Sequence, residues 1–369
     1  MPGGIALFLF VKGTAASRAE KLVADGQVAA TLDTLERLVD VPELGTIVVV
    51  TASQDVAERA AALGAVVEMD SLHEDFHFGQ RLAHLAEKHP ADHILYVGGG
   101  SGVLMRAEDW RALAVRVLSV RDTVISNNFF SCDFAAWTPG EAIAQITPPE
   151  LDNDLAFRLS RQAGLSATTL PKNAATQLDI DTPTDLMTAS LHPAVGPRLR
   201  ALLDSGPINP NRADRVRSII SSPRGNMLIA GRVSAAMMFF LEQSTPCQWR
   251  VFSEERGMRA SGREARGEVR SVLGYILDTV GVGAFFQMLG NVADGAVLDS
   301  RIFFAHRGLH PAPSDRFNSD LLAAEEIGDS FVRSFTAAAR QAGIPILLGG
   351  HSLVSGGMYT LGEVRYPLE

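Results

Sequence analysis

The chain has 369 residues, with 42 acids against 33 bases, so its net charge of −9 argues against a nucleic-acid binder, which presents a basic face. With 46% hydrophobic and 20% charged residues it is not a disordered chain, and a sizeable core is available. Its length suggests two domains, and the acidic balance still leaves room for a local nucleotide site.

Other classes fall away on local features. Cys132 and Cys247 lie far apart and form neither a disulfide framework nor a zinc-ligand spacing, so a reducing cytoplasm is the expected compartment. No run approaches the roughly 18 apolar residues of a membrane span. Residues 1–10 are apolar but lack a basic flank and a cleavage site, and they read as a first strand. Monomer and homodimer both stay open.

Taken in order, the first half alternates strand and helix patterns. Residues 5–11 form a continuous apolar run, as expected of a strand buried on both faces. Helical spacing follows at 28–39, a β-branched run at 46–51, an Ala-rich helix at 55–63 and a short strand at 65–68. A helix is expected at 78–89, then a strand at 93–97 ending in Gly98-Gly99-Gly100-Ser101-Gly102. Helices at 108–118 and 154–163 and strands at 123–126 and 168–170 complete this half. Such alternation implies a Rossmann-like, doubly wound, mostly parallel α/β sheet. Pro193, Pro197, Gly206, Pro207 and Pro210 then punctuate a short helix at 198–203. They place a domain boundary near 205, giving domains 1–205 and 206–369.

Ligands in open α/β sheets gather beyond the carboxyl ends of strands, which selects four places in the first half. The turn after the first strand carries Lys12, Gly13, Ser17, Arg18 and Lys21, cations that suit a triphosphate or simply a solvated helix start. It lacks the spacing of a P-loop. The loop with Gly99, Gly100 and Ser101 permits close backbone approach, to a ligand or within a tight turn. Asn127 and Asn128, with Asp133 nearby, could read a base or sugar, or form a turn. The fourth place is the octapeptide Asp179-Ile180-Asp181-Thr182-Pro183-Thr184-Asp185-Leu186. Thr182 suits an N-cap with Asp185 at the capping-box position and Pro183 in the first turn. Asp179 and Asp181 alternate along a strand end and could instead hold a divalent metal beside a phosphate.

Together these four places resemble the nucleotidyltransferases of the glycosyltransferase-A-like (nucleotide-diphospho-sugar transferase-like) fold, over residues 4–190. The similarity is greatest to the molybdenum-cofactor guanylyltransferase and 2-phospho-lactate guanylyltransferase groups. The closing D-I-D-T-P-x-D-L is the more specific motif, because Arg18 and Lys21 sit closer together than in the usual G-x-S-x-R-M-G-x-x-K. The resemblance implies transfer of NMP from a nucleoside triphosphate to a small phosphorylated or carboxylate acceptor, with release of pyrophosphate. It implies triphosphate binding by the first loop and Mg2+ or Mn2+ held at Asp179 and Asp181. Lys21, Asp181 and Asp133 are then the catalytic candidates. One departure stands out: such enzymes place an aspartate just after the fourth strand, in a pattern like A-D-x-P. Here residues 96–103 hold no acid, so either Asp133, Asp152 or Asp154 replaces it or this half no longer transfers nucleotides.

The second half reads as a smaller α/β domain with strands at 248–253, 297–305 and 344–348 and helices at 269–289 and 327–342. Its strand ends carry Glu254, Glu255 and Arg256, then His306 and Arg307, then His351 and Ser352, with Asp320 in the following helix region. Neighbouring strands would bring these side chains to one edge, as a metal site or an acid–base pair for a hydrolase or phosphatase-type reaction. The Gly-rich stretch around His351 would suit an anion cradle or an ordinary turn. Met237, Met238, Phe239, Phe240, Phe285 and Phe286 are expected in helix cores. Spacing puts His73, His77 and His84 on one helical face, but Gly79 argues against a continuous helix there. Three functions therefore stay in view: a nucleotidyltransferase, a hydrolase at the second-half cluster, or a binding protein without turnover.

Overall fold

The computed structural model describes residues 4–70, 76–206, 208–259 and 261–364, and its strands form two sheets. The first contains β1 (Ile5–Phe10), β2 (Leu44–Thr51), β3 (Val66–Met69), β4 (Ile94–Gly98), β5 (Thr123–Ser126), β6 (Phe134–Thr138) and β7 (Ser166–Thr169). Its order is β3-β2-β1-β4-β6-β5-β7, parallel except for β6, which runs antiparallel to β4 and β5. The second contains β8 (Asn226–Gly231), β9 (Gln248–Ser253), β10 (Gly295–Asp299) and β11 (Ile346–Gly349), all parallel, in the order β11-β10-β8-β9. This is a mixed α/β protein with a mostly parallel large sheet and a smaller parallel one.

Close contacts divide the chain into two units. The first comprises Met1–Thr14, Ala24–Asp179 and Gly196–Leu202, and the second Ala15–Val23, Ile180–Val195 and Leu203–Glu369. The division falls inside the octapeptide, so Ile180–Val195 belongs to the second unit although it lies upstream of residue 205. There, Thr184 donates its hydroxyl to the Leu348 carbonyl at 2.6 Å. In the first unit, Asp33 is buried and accepts the N–H groups of Arg198 and Leu199, which ties down Gly196–Leu202.

Strand alternation decides which residue enters which core. In the first unit Ile5, Leu7 and Leu9 join Val49, Leu95 and Ile125 on one face, against Leu32, Leu35, Trp110 and Leu113 from helices. Ala6, Phe8 and Phe10 join Val50, Ile94 and Tyr96 on the other, against Phe78, Leu82, Leu85 and Leu159. Every residue of β1 is therefore buried, which is why its sequence shows no polar alternation. In the second unit Leu228, Ala230, Ala296, Leu298, Ile346 and Leu348 line one face with Phe285, Phe286, Phe303 and Phe335.

Several elements differ from the sequence expectation. The apolar run 297–305 is not one strand: β10 ends at Asp299 and the helix Ser300–His306 begins at once. The central strand β8 and the antiparallel β6 were not anticipated. The expected helix at 269–289 is two helices, Val272–Val280 and Val282–Val292, turned by 120° at Gly281, whose φ is +81°. Phe285 and Phe286 are buried as expected, but Met238 and Phe239 are exposed, at 44% and 67%. Cys132 and Cys247 are buried free thiols. His77 caps the helix Phe78–Lys88 instead of lying on it, and His73 lies outside the described residues. No single helix among the described residues is long and apolar enough to cross a membrane.

Backbone approach between β1 and β4 fixes one glycine. A Cβ on Gly99 would lie 2.6 Å from the Phe10 carbonyl oxygen and 3.1 Å from Val11 Cα. Gly99→Ala should therefore lower unfolding stability by about 1–3 kcal/mol, read by urea denaturation. An unchanged midpoint would mean that these strand ends are not held so close.

Candidate functional site

The carboxyl edge of the first sheet gathers polar groups around the end of β4. Gly98 N–H donates to the Asp133 carbonyl at 2.9 Å. The Asn127 side chain is buried and forms a two-way link with Asp133. Its Nδ2 donates to Asp133 Oδ2 at 2.6 Å, and its Oδ1 accepts from Asp133 N at 3.0 Å. Tyr96 donates its hydroxyl to Asp152 Oδ2 at 2.7 Å. A Cβ on Gly98 would lie 3.0 Å from Asp133 O, 3.1 Å from Tyr96 Oη and 3.4 Å from Asp152 Oδ2. Asp179 pairs with Ser101 in an isolated antiparallel bridge. This edge thus brings together Asp133, Asp152, Asp179, Asn127 and Ser101. Burial, reinforced by the Asp152 carboxylate, pushes the Tyr96 phenol well above its ordinary range, so it stays a hydrogen-bond donor.

Other expected residues of this half have local tasks. Ser101 is buried and donates its hydroxyl to the Gly98 and Asp133 carbonyls. Gly100 takes a φ of +94°. Asn128 Oδ1 accepts the Phe130 N–H, a turn role. Ser17 exchanges hydrogen bonds with Glu20 at the start of the helix Arg18–Val39. Lys12 is exposed just past β1, and Gly13, with φ +67°, packs against Ser53. Arg18 and Lys21 are exposed on their helix. Among the described residues no group of three or more His, Cys, Asp or Glu converges as a metal site.

The octapeptide's second part is a helix cap of unusual depth. Thr182 is the N-cap of the helix Pro183–Ser190, with a reciprocal capping box to Asp185 and Pro183 in the first turn. Asp185 Oδ2 accepts from Asp181 N, Thr182 N, Thr182 Oγ1 and, at 2.7 Å, Ser352 Oγ. Asp185 is fully buried, and its Oδ1 has no hydrogen-bond partner among the described residues. Asp181, by contrast, is exposed. Burial, with a smaller push from the Asp181 carboxylate, raises Asp185 from 3.8 to about 7 against the pull of its hydrogen bonds to Ser352 and Thr182.

The carboxyl edge of the second sheet holds buried ion pairs that the sequence did not reveal. Arg232, just past β8, donates to both oxygens of Asp299 at 2.6 and 3.1 Å. A Cβ on Gly231, at φ +134°, would lie 2.3 Å from Asp299 Cβ, so only glycine lets β8 pass this close. Arg301 clasps Asp320 through two bonds of 2.6 Å, and both are buried. Ser300 donates to the Gly349 carbonyl. Burial pushes the Asp299 carboxyl up, but the Arg232 guanidinium bonded to it, with smaller contributions from His351 and Arg301, keeps it below its usual range. The available signal was the D-S-R triplet inside an apolar run, which was read as continuous strand.

The expected second-half cluster is dispersed. Asp320 and Ser352 join the edge through Arg301 and Asp185, and His351 joins it through Asp299. His306 and Arg307 do not, because a helix carries them away from the end of β10. His306 accepts the Ser271 N–H and faces Asp278, and Arg307 pairs with Asp278 and covers the Phe331 ring. Glu254 accepts the Val272 N–H, while Glu255, at φ +51°, binds Arg263 and the Arg270 N–H. Arg256 is exposed. These residues pin the segment that leads into the helix Val272–Val280.

A mostly parallel seven-stranded α/β unit with an acidic strand-edge site is thus joined to a second parallel α/β unit. Among solved structures, the chain is similar to a cytidylyltransferase from Leptospira borgpetersenii, at 16% identity and a TM-score of 0.40 over 56% of this chain and 94% of that one. It is also similar to a CMP:2-keto-3-deoxy-manno-octonic acid synthetase complexed with CTP, at 15% identity, TM-score 0.32, and 45% and 89% coverage. A third is glucosyl-3-phosphoglycerate synthase from Mycobacterium tuberculosis, crystallised with Mn2+, UDP and phosphoglyceric acid, at 12% identity, TM-score 0.33, and 45% and 67% coverage. No protein-family model matches the chain, and no curated protein does.

Asp185 generates a pH prediction. The folded carboxyl keeps its proton to about pH 7, whereas an unfolded aspartate loses it near 3.8. Stability therefore falls as pH rises between these values and levels off above them. Asp185→Asn should remove this slope whatever constant cost the amide adds. Its stability relative to the parent should improve by on the order of 3 kcal/mol between pH 4 and pH 8, measured by denaturant titration. Parallel pH curves for parent and variant would show that Asp185 is ionised throughout.

Proposed function

We propose that the first unit binds a nucleoside triphosphate at the carboxyl edge of its seven-stranded sheet and transfers the NMP group to a small phosphorylated or carboxylate acceptor. The observation that carries this reading is the approach of the Asp152 carboxylate to Gly98, where the resembling enzymes have an acid, with Asp133 held beside it through its backbone carbonyl. Asn127 orients Asp133, and Tyr96 orients Asp152. Lys12 supplies an exposed cation beyond β1 for the phosphate chain. In the reaction an acceptor oxygen attacks the α-phosphorus. The new O–P bond forms as the bond to the bridging oxygen breaks, and pyrophosphate leaves with that electron pair.

The resemblance implies a divalent cation. No three-ligand group for it is preformed among the described residues, so no step is routed through a metal. Asp179 and Asp181 are proposed ligands only in the sense of the motif, and Asp181 is the exposed one. The resembling groups are guanylyltransferases, which makes GTP the first nucleotide to compare with ATP, CTP and UTP. A second reading, nucleotide binding without turnover, is favoured by the dispersed acids, of which no three converge among the described residues, and by the burial of Ser101.

The test is calorimetric binding of the four triphosphates with Mg2+ or Mn2+, followed by pyrophosphate release with candidate acceptors. One triphosphate should bind, Lys12→Ala should weaken it about tenfold, and Asp152→Asn should cut turnover at least about 100-fold with binding retained. Tyr96→Phe should show a smaller loss of the same kind. Binding without any turnover would select the second reading, and no binding of any triphosphate would overturn both.

A further inference from the structure

We propose that a cavity at the amino end of β11, in the second unit, binds a small phosphorylated organic anion, its phosphoryl group on Arg212, Arg215 and Arg340 and its apolar part on Leu321 and Ile346. The cavity has a volume of about 320 Å3 and is lined by these residues together with Asn209. That volume lies at the lower end of the range for small-molecule sites, which runs from about 300 to 1,000 Å3.

Charge is the first argument. Three arginines line the cavity, and among the described residues only Arg340 has a carboxylate within hydrogen-bond reach, binding Glu325 Oε2 at 2.9 Å and the Leu322 carbonyl at 3.3 Å. Arg212 donates to the carbonyls of Ile346 and Asp320 at 3.2 and 3.1 Å, which orient it without neutralising it. The nearby Asp320 carboxylate is already clasped by Arg301. Arg215 is exposed and has no acidic partner among the described residues. Burial lowers Arg212 to about 10, a cost that a bound anion would offset.

Position is the second argument. Arg212 lies in the first turn of the helix Asn211–Ile220, where the helix dipole already favours negative charge, and Arg215 follows in the next turn. The one acid there, Asp214, pairs with Arg217. Cations at that end are unfavourable by themselves and become favourable with an anion between them. The apolar lining residues, Leu321 and Ile346 among them, favour an organic phosphate over the free ion. The site is independent of the triphosphate reading, because it uses other residues in the other unit.

The experiment is titration calorimetry on the full chain with phenyl phosphate, inorganic phosphate and phenol. Phenyl phosphate should bind one per chain. Inorganic phosphate should bind at least about tenfold more weakly, and phenol not measurably. Arg215→Ala and Arg340→Ala, both at exposed side chains, should each weaken phenyl phosphate about tenfold with unchanged circular dichroism, and Lys12→Ala should leave it unaltered. Absence of binding, equal affinity for inorganic phosphate, or affinity unchanged in both arginine variants would overturn the proposal.

Discussion

A strand covered on both faces can place polar side chains only at its ends, and both sheets are built largely from such strands. In β1, β5, β6, β10 and β11 every residue is buried. The polar groups of each unit are accordingly crowded beyond the carboxyl ends, in the short stretches that turn from strand to helix. Glycines allow that crowding where backbones must pass closely, as Gly231 does against Asp299. Everything that can do chemistry at these edges has to be accommodated in that margin.

The margin is buried, and burial makes each carboxylate expensive unless it is answered. The carboxylates are answered in different ways. Asp299 and Asp320 each receive a two-point arginine clasp. Asp133 is met by an amide, Asp152 by a phenol, and Asp185 by hydroxyls and backbone N–H groups. Only neutral donors bond to Asp185, and burial raises it to about 7. Such pairs add little net stability over well-packed apolar groups, yet removing one partner leaves an unanswered charge. Their effect is to fix where each strand end sits.

The alternation of strands and helices was legible because buried parallel strands leave long apolar runs, and the Thr182–Asp185 capping box was legible from spacing alone. Misreadings arose where one signal served two structures. The run 297–305 is broken only by Asp299-Ser300-Arg301, and a parallel strand and the buried helix after it look alike without a Gly or Pro between them. That merger moved the expected strand end from Asp299 to His306 and hid the Arg232–Asp299 pair. Met238 and Phe239 show the converse: a helix apolar all round cannot reveal which face is covered. Asn128, Ser17 and His77 carry the side chains that bind ligands, and the same chemistry caps helices and closes turns, which is where the structure uses them.

The acid missing after the fourth strand has a physical explanation that sequence could not supply. At Gly98 a side chain would press on the Asp133 carbonyl and the Tyr96 hydroxyl. Gly99 has the Phe10 carbonyl oxygen where its Cβ would go. Gly100 adopts a φ of +94°, which an aspartate tolerates poorly, and Ser101 is buried with its hydroxyl spent on two carbonyls. Four successive positions are therefore closed to a carboxylate, each for its own reason. A loop of this shape can present an acid only from a neighbouring element, and Asp152 Oδ2 lies 3.4 Å from where a Cβ at position 98 would sit. The bare strand end and the Tyr96–Asp152 hydrogen bond are two sides of one arrangement. An acid placed at position 98 would press on the Asp133 carbonyl and the Tyr96 hydroxyl, and so on the hydrogen bond that holds Asp152.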